Sequence, residues 1–353
     1  MSEIAAARTD NADSHDWPLV TVNILAYNRR EDVRRTLQAI VSELDYPADR
    51  LEVIVVDNAS EDETDEMVRA EFPSVTLLRR DRNVGVPGWN DGFRAGRGEY
   101  FLVLDDDCYI TGDALKVAVS AALEEEADLV SFRVVSPWYD DFAFSELYRT
   151  GLLSFWGCSV LISRRATERL GGFDPLIFIW AHELDFTARA LDAGFRHLYL
   201  PEVEAVHLKR IITAPPRVYA AHLRHLAYFA AKSLRLRDAA GAVANLICRA
   251  AVSSVRRPSS AREMIGSVAA GTWLGARHRA PLRPEVSRLY RRDFQDFISI
   301  VRIMRGIGER LRRPRPSSDG VEVRSSQAYS PRALEFFAKR ADLYPHERGS
   351  LRL

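Results

Sequence analysis

The chain has 353 residues, 47% of them hydrophobic and 28% charged. This composition excludes a disordered or fibrous protein, and the length suits one α/β unit with an appendage. Zero net charge hides a division, since residues 1–200 carry 20 Lys and Arg against 36 Asp and Glu while residues 201–353 carry 29 against 13. An acidic front that binds a cation and electrostatic docking of the two halves both fit that asymmetry.

Residues 1–16 are small and polar without an apolar period, which predicts a disordered leader. Neither a signal peptide nor a spanning segment is evident. From Trp17 the pattern becomes regular. Leu19–Leu25 reads as a strand, and Val33, Leu37, Ile40, Val41 and Leu44 then recur at helical spacing between Glu31 and Leu44. Leu51–Val56 repeats the strand, and Ser60 with Glu63 reads as a capping box opening a helix to about Ala70. Val75–Leu78, Tyr100–Leu104, Leu129–Val134, Trp156–Ile162 and His197–Leu200 supply further strands. A helix near Glu183–Ala193 closes on Gly194, with Leu184, Ala188 and Leu191 as its buried stripe. This alternation predicts an α/β domain over residues 17–214, with a mainly parallel sheet flanked by helices. A basic helical region follows over 215–313, and 314–353 reads as a linker and a last helix near Ser330-Pro331.

Ligands of open parallel sheets bind beyond the carboxyl ends of strands, and here those ends are polar. The first strand runs into Tyr27-Asn28-Arg29, the second into Asp57-Asn58-Ala59-Ser60, and the fourth into Asp105-Asp106-Asp107. Adjacent carboxylates repel one another, so the triplet points to a compensating hard cation. Between these segments, Asn83, Gly85 and Asn90 offer amides and a closely approachable backbone to a nucleotide, although no Walker lysine loop or GxGxxG is present. Glu183 and Asp185 are two residues apart, so at most one of them points into a pocket. Cys108, Cys158 and Cys248 have no paired spacing and read as buried thiols of a reducing compartment.

Taken in order, Tyr27-Asn28-Arg29, Val55–Ser60, Asn83-Val84-Gly85, Asp105-Asp106-Asp107, Gly171-Gly172-Phe173-Asp174, the Glu183 region and His207 resemble the family 2 inverting glycosyltransferases of GT-A fold. The resemblance implies a nucleotide-diphosphate sugar donor and a Mn or Mg cofactor. Asp57 would contact the base, Asp105 and Asp106 would serve ribose and metal, and Asp107 would be the principal metal ligand. His207 would be a further ligand or a diphosphate contact. The family usually has Glu-Asp-x-Asp where this chain has His182-Glu183-Leu184-Asp185, which makes Glu183 the expected base and keeps Asp185 as its rival. The acceptor would be a glycan, a lipid-linked sugar or a small molecule. A pocket that binds the donor without turnover is the alternative.

The basic half contains two apolar stripes, Tyr219–Leu223–Leu226–Ala230–Leu234 and Tyr290–Phe294–Phe297–Val301–Met304, each with arginines elsewhere on its helix. They suggest a cytoplasmic protein held peripherally on the anionic inner face of a membrane, while packing on the catalytic domain or a homo-oligomer is the plainer alternative. The arginines lack interleaved aromatic stacking motifs, which speaks against nucleic acid.

Overall fold

The computed structural model describes residues 16–136, 153–208, 216–254 and 258–297. The leader up to residue 15, the linker and the expected last helix lie outside them. Among the described residues one sheet of eight strands has the order β3-β2-β1-β4-β7-β6-β8-β5. Its strands are β1 (Val20–Ala26), β2 (Leu51–Asp57), β3 (Thr76–Arg79), β4 (Tyr100–Asp105), β5 (Cys108–Tyr109), β6 (Leu129–Val135), β7 (Ser159–Ser163) and β8 (His197–His207).

The β3-β2-β1-β4 half is parallel, as the strand and helix alternation requires. The other half is mixed, yet the expectation of a mainly parallel sheet holds, because β6 pairs parallel with β8 and four of the seven strand pairings among the described residues are parallel. β7 runs antiparallel to both β4 and β6, and β5 runs antiparallel to β8. β8 is longer than its apolar residues suggest, because Pro201-Glu202-Val203 bulge out where its register on β6 shifts from Phe132↔Leu200 to Arg133↔Glu204.

Six helices accompany the sheet: α1 (Arg30–Glu43), α2 (Thr64–Glu71), α3 (Trp89–Ala95), α4 (Ala114–Glu124), α5 (Arg164–Leu170) and α6 (His182–Asp192). Val33, Leu37 and Ile40 of α1 are buried as their period requires, but Val41 is exposed. The capping box is overturned: Glu63 has left-handed φ and no side-chain cap, and the Oδ1 of Asp62 accepts from both the N–H and hydroxyl of Thr64. Cys108 and Cys158 are buried, whereas Cys248 is exposed.

Four helices follow: α7 (Pro216–Ser233), α8 (Leu236–Ser254), α9 (Pro258–Arg277) and α10 (Pro284–Phe297). Three of them start on proline, whose fixed φ suits a first turn and whose missing N–H costs nothing there. Leu223, Leu226, Ala230 and Leu234 form the inner core of this layer, together with Ala188 of α6 and Tyr290 of α10. The first stripe is therefore internal packing and is corrected as a membrane face. Of the second stripe, Tyr290 is buried and donates to the Leu153 carbonyl at 2.7 Å, and the other four side chains lie outside those described. No described helix is long and apolar enough to cross a membrane.

The two halves of opposite charge meet at defined pairs. Arg283 donates to the Leu191 carbonyl and its backbone N–H to Asp192 Oδ1, and buried Lys232 reaches Asp174 and Asp185. Electrostatic docking thus accounts for part of the charge asymmetry.

Candidate active site

Because β1, β2 and β4 are parallel neighbours, with Ala26 opposite Asp57 and Leu25 opposite Asp105, their polar ends open off one edge. Tyr27 is 43% exposed there, and its N–H donates to Asp106 Oδ2 at 3.2 Å. Asn28 takes a left-handed φ of 53°, donates its N–H to Ser60 Oγ and accepts from the Glu61 N–H, tying the first two strand ends together. Arg29 contacts Asp107 Oδ2 and lies 3.7 Å from Asp106 Oδ1.

The pairing of β5 with β8 sets Cys108 opposite His207 and thereby brings His207 to the acid triplet. Its Nε2 is 3.1 Å from Asp107 Oδ1 and 3.9 Å from Asp105 Oδ2. Asp105, Asp107 and His207 each offer one ligand atom, all within 4.8 Å of one another. Two carboxylates and an imidazole at this spacing fit a single divalent cation that accepts oxygen and nitrogen donors, such as Mn. Asp106 does not join that group. Burial and then the neighbouring Asp107 push its carboxyl well above the usual range. Burial opposes charge on the His207 ring, but Cys158 and Asp107 outweigh it and hold its pKa well above the ordinary value.

Asp57 is fully buried, accepting from the Ser60 N–H at 2.9 Å and from Arg79 Nη1 at 2.9 Å. Asn58 Nδ2 donates to Asn83 Oδ1 and the Gly85 carbonyl, and Asn58 Oδ1 accepts from the Val84 N–H. Gly85 is required by its surroundings, having φ 73° and leaving no room for a Cβ, which would stand 1.9 Å from the Phe178 carbonyl oxygen. Asn90 departs from the nucleotide role expected of it. Its amide donates to the Phe173 carbonyl and accepts from the Phe173 N–H, so both ends hold the Gly171–Asp174 turn.

Glu183 stands in the first turn of α6, after two consecutive left-handed residues, Trp180 at φ 56° and Ala181 at φ 61°. Such strain is costly away from glycine and gathers at functional sites. Burial pushes the Glu183 carboxyl up to about 8, against hydrogen bonds from its own N–H and that of Gly157, with Asp105 adding to the rise. A Cβ on Gly157 would come 2.6 Å from Glu183 Oε1, so any side chain there would have to displace this carboxyl or the His182 ring. His182, buried against Trp89 and Phe173, has Nδ1 3.2 Å from Glu183 Oε2, and burial and then His225 lower its pKa to about 3. Its ring is therefore neutral at ordinary pH.

Asp185 occupies a different place. It is fully buried, with Arg189 Nε 2.8 Å from Oδ2 and Lys232 Nζ 2.7 Å from Oδ1. Both oxygens face cations, an arrangement that suits a structural ion pair and weighs against Asp185 as the rival base. Arg189 carries the connection onward to the carbonyls of Leu170 and Gly172, and Lys232 to Asp174. The sequence reading missed Arg79, Gly157 and Lys232, and it named Cys158 only as a buried thiol. Only Lys232 left a trace, as a lone lysine in the predicted apolar stripe region of α7.

Residues 21–180 match the model of glycosyl transferase family 2. They belong to that family. The chain is 28% identical over 208 residues to the glycosyltransferase AglE of Haloferax volcanii, covering 55% of this chain and 68% of that one. It is 28% identical over 212 residues to the probable glycosyltransferase YdaM of Bacillus subtilis, spanning half of that protein. A mannosyltransferase from Pyrobaculum calidifontis, solved with GDP-Man and Mn2+, superposes with a TM-score of 0.52 at 21% identity, over 93% of this chain and 81% of that one. GalNAc-T7, solved with UDP, GalNAc and Mn2+, gives 0.54 at 14% identity over 81% and 59% of the chains. These likenesses establish the fold as the GT-A arrangement of a mixed sheet flanked by helices.

Proposed function

We propose that the chain transfers a sugar from a nucleoside-diphosphate donor to an acceptor hydroxyl with inversion, using Glu183 as base and a divalent cation held by Asp105, Asp107 and His207. One observation carries the reading: Glu183 feels the charge of Asp105 and His207 lies 3.1 Å from Asp107, so both gather at the end of β4, a strand inside the family 2 match. The mannosyltransferase is solved with GDP-Man and Mn2+, and GalNAc-T7 with UDP, GalNAc and Mn2+, which supports the donor class and the cofactor. A bound cation would supply Lewis acidity toward the departing diphosphate.

The residues divide the work. Asp57, Asn58 and Asn83 form the nucleotide end, and Arg29 adds positive charge beside the acid triplet. Ionised Glu183 takes the acceptor hydroxyl's proton as that oxygen bonds to the anomeric carbon. The bond from that carbon to the diphosphate oxygen breaks on the opposite face, and its electron pair leaves with the nucleoside diphosphate. A general base of this kind contributes about 10²–10⁴ in rate. The acceptor is a glycan, lipid-linked sugar or small molecule, and the donor's base and sugar are open.

The test is release of free nucleoside diphosphate from a donor panel, with Mn, with Mg and with chelator. Cation-dependent release from one donor supports the reading. Donor binding without release would leave a binding protein.

A further inference from the structure

We propose that the outward faces of α8 and α9 dock this protein on an anionic lipid surface, a role distinct from the transfer chemistry. The face differs from the stripe that periodicity singled out in α7. That stripe is consumed in the core, and among the described residues of the helical layer the large apolar side chains left exposed are Leu236 and Ile247 on α8, Ile265 and Trp273 on α9 and Leu289 on α10.

The packing fixes which way α9 faces. A Cβ on Gly271 would come 2.0 Å from the Arg224 carbonyl oxygen, and one on Gly275 would come 2.4 Å from that of Tyr228. α9 therefore lies backbone-close on α7, with Met264 and Val268 also buried. The opposite side presents Ile265, Ala269 and Trp273, which recur at helical spacing. Ile265 is 41% and Trp273 61% exposed, large values for apolar side chains that burial would stabilise. α8 repeats the arrangement with exposed Ala240, Ala244 and Ile247 on the side away from buried Leu246 and Ala250.

Exposed arginines close both stripes: Arg237 begins that of α8, and Arg262 and Arg277 bracket that of α9. The Arg277 guanidinium stands 4.7 Å from the centre of the Trp273 ring, an indole and cation side by side as at a lipid headgroup boundary. Glu263 is set about 80° or more round the helix from Ile265, Ala269 and Trp273, leaving the stripe itself without acids.

Charge decides the occupant. A second copy would bring the same arginines to both sides of a two-fold contact, with no acid in either stripe to offset them. Residues 298–353 of this chain are also basic, with 12 Lys and Arg against 6 Asp and Glu. Both would be repelled. An anionic lipid surface supplies the opposite charge and an apolar layer for Ile265 and Trp273.

Co-sedimentation of the full chain with phosphatidylcholine vesicles, and with vesicles containing phosphatidylglycerol, tests this. Binding to the anionic vesicles alone, fading from low to high salt, is the expected result. Trp273→Ser with Ile265→Ser should abolish it, and Arg262→Gln and Arg277→Gln should each weaken it about fivefold. Nucleoside diphosphate release from a soluble donor and acceptor should be unchanged in all of them, which shows the variants folded. Equal binding to neutral vesicles, or none to either at low salt, would overturn the proposal. So would a concentration-dependent dimer, measured by sedimentation equilibrium, that Trp273→Ser dissociates, because the face would then belong to a second copy.

Discussion

Lys232 Nζ stands 2.7 Å from Asp185 Oδ1 and also meets Asp174 Oδ2, so one ammonium from the helical layer bridges two carboxylates of the α/β domain. All three side chains have little exposure. Removing the cation would leave buried Asp174 without its ammonium and Asp185 with Arg189 alone, a change that costs about 3–5 kcal/mol when a buried pair is broken. Lys232→Met should therefore lower unfolding free energy by roughly that amount in a denaturant titration. Adding Asp185→Asn to it should recover part of the loss. Strict additivity of the two substitutions would show that the residues are not coupled.

Asp107 should be indispensable to cation binding and dispensable to folding, since it lies beyond a strand end rather than in the core. Asp107→Ala is expected to remove the Mn dependence of nucleoside-diphosphate affinity in calorimetry while thermal unfolding remains cooperative. His207→Ala should weaken Mn binding more than Mg, because an imidazole favours the softer ion. Unchanged Mn-dependent affinity in the Asp107 variant would remove that residue from the ligand set.

Replacing Glu183 with Gln keeps shape and burial but removes the base. Turnover should drop by about two orders of magnitude or more with donor affinity retained. Asp185→Asn should act differently, lowering stability through Lys232 and Arg189 with a smaller effect on kcat in the remaining folded protein. If Asp185→Asn proved the more damaging to kcat at full folding, the base would be reassigned.

The raised Glu183 carboxyl makes both rate and stability depend on pH. The base must be ionised, so kcat/KM should climb as pH rises through about 8. Stability runs the other way. The folded state holds this proton to a higher pH than the unfolded chain, so the contribution is fully present below 4.5 and is lost as pH rises through about 8. Glu183→Gln should flatten that part of the stability curve. Equal slopes in the parent and the variant would show that burial does not raise this carboxyl.

Gly157 tests the fit around the same group. Gly157→Ala puts a Cβ 2.6 Å from Glu183 Oε1 and 2.8 Å from His182 Nε2, so one of the two must move. The expected result is a loss of kcat with little change in donor affinity, read by steady-state kinetics beside calorimetry. Full activity would mean that Glu183 can shift without cost.

Much of the site was readable in order along the chain, because each element of it is a short polar segment following an apolar strand. Tyr27, Asn28, Arg29, Asp57 and the acid triplet were found this way, since strand periodicity and the ends of parallel strands are local properties. The helices of residues 216–297 were likewise visible in their period. Tertiary structure decided the rest. Antiparallel β7 and the β5–β8 pairing, which sets His207 beside Asp107 100 residues away, depend on which strands meet, and strand patterns alone do not specify partners. The surroundings of Glu183 and Asp185 were likewise beyond the sequence: Gly157 stands beside one carboxylate, Lys232 and Arg189 beside the other. Which apolar face of a helix is core was also beyond the sequence. The α7 stripe and the α9 stripe have the same period, and only packing against neighbouring helices buries one and leaves the other facing outward.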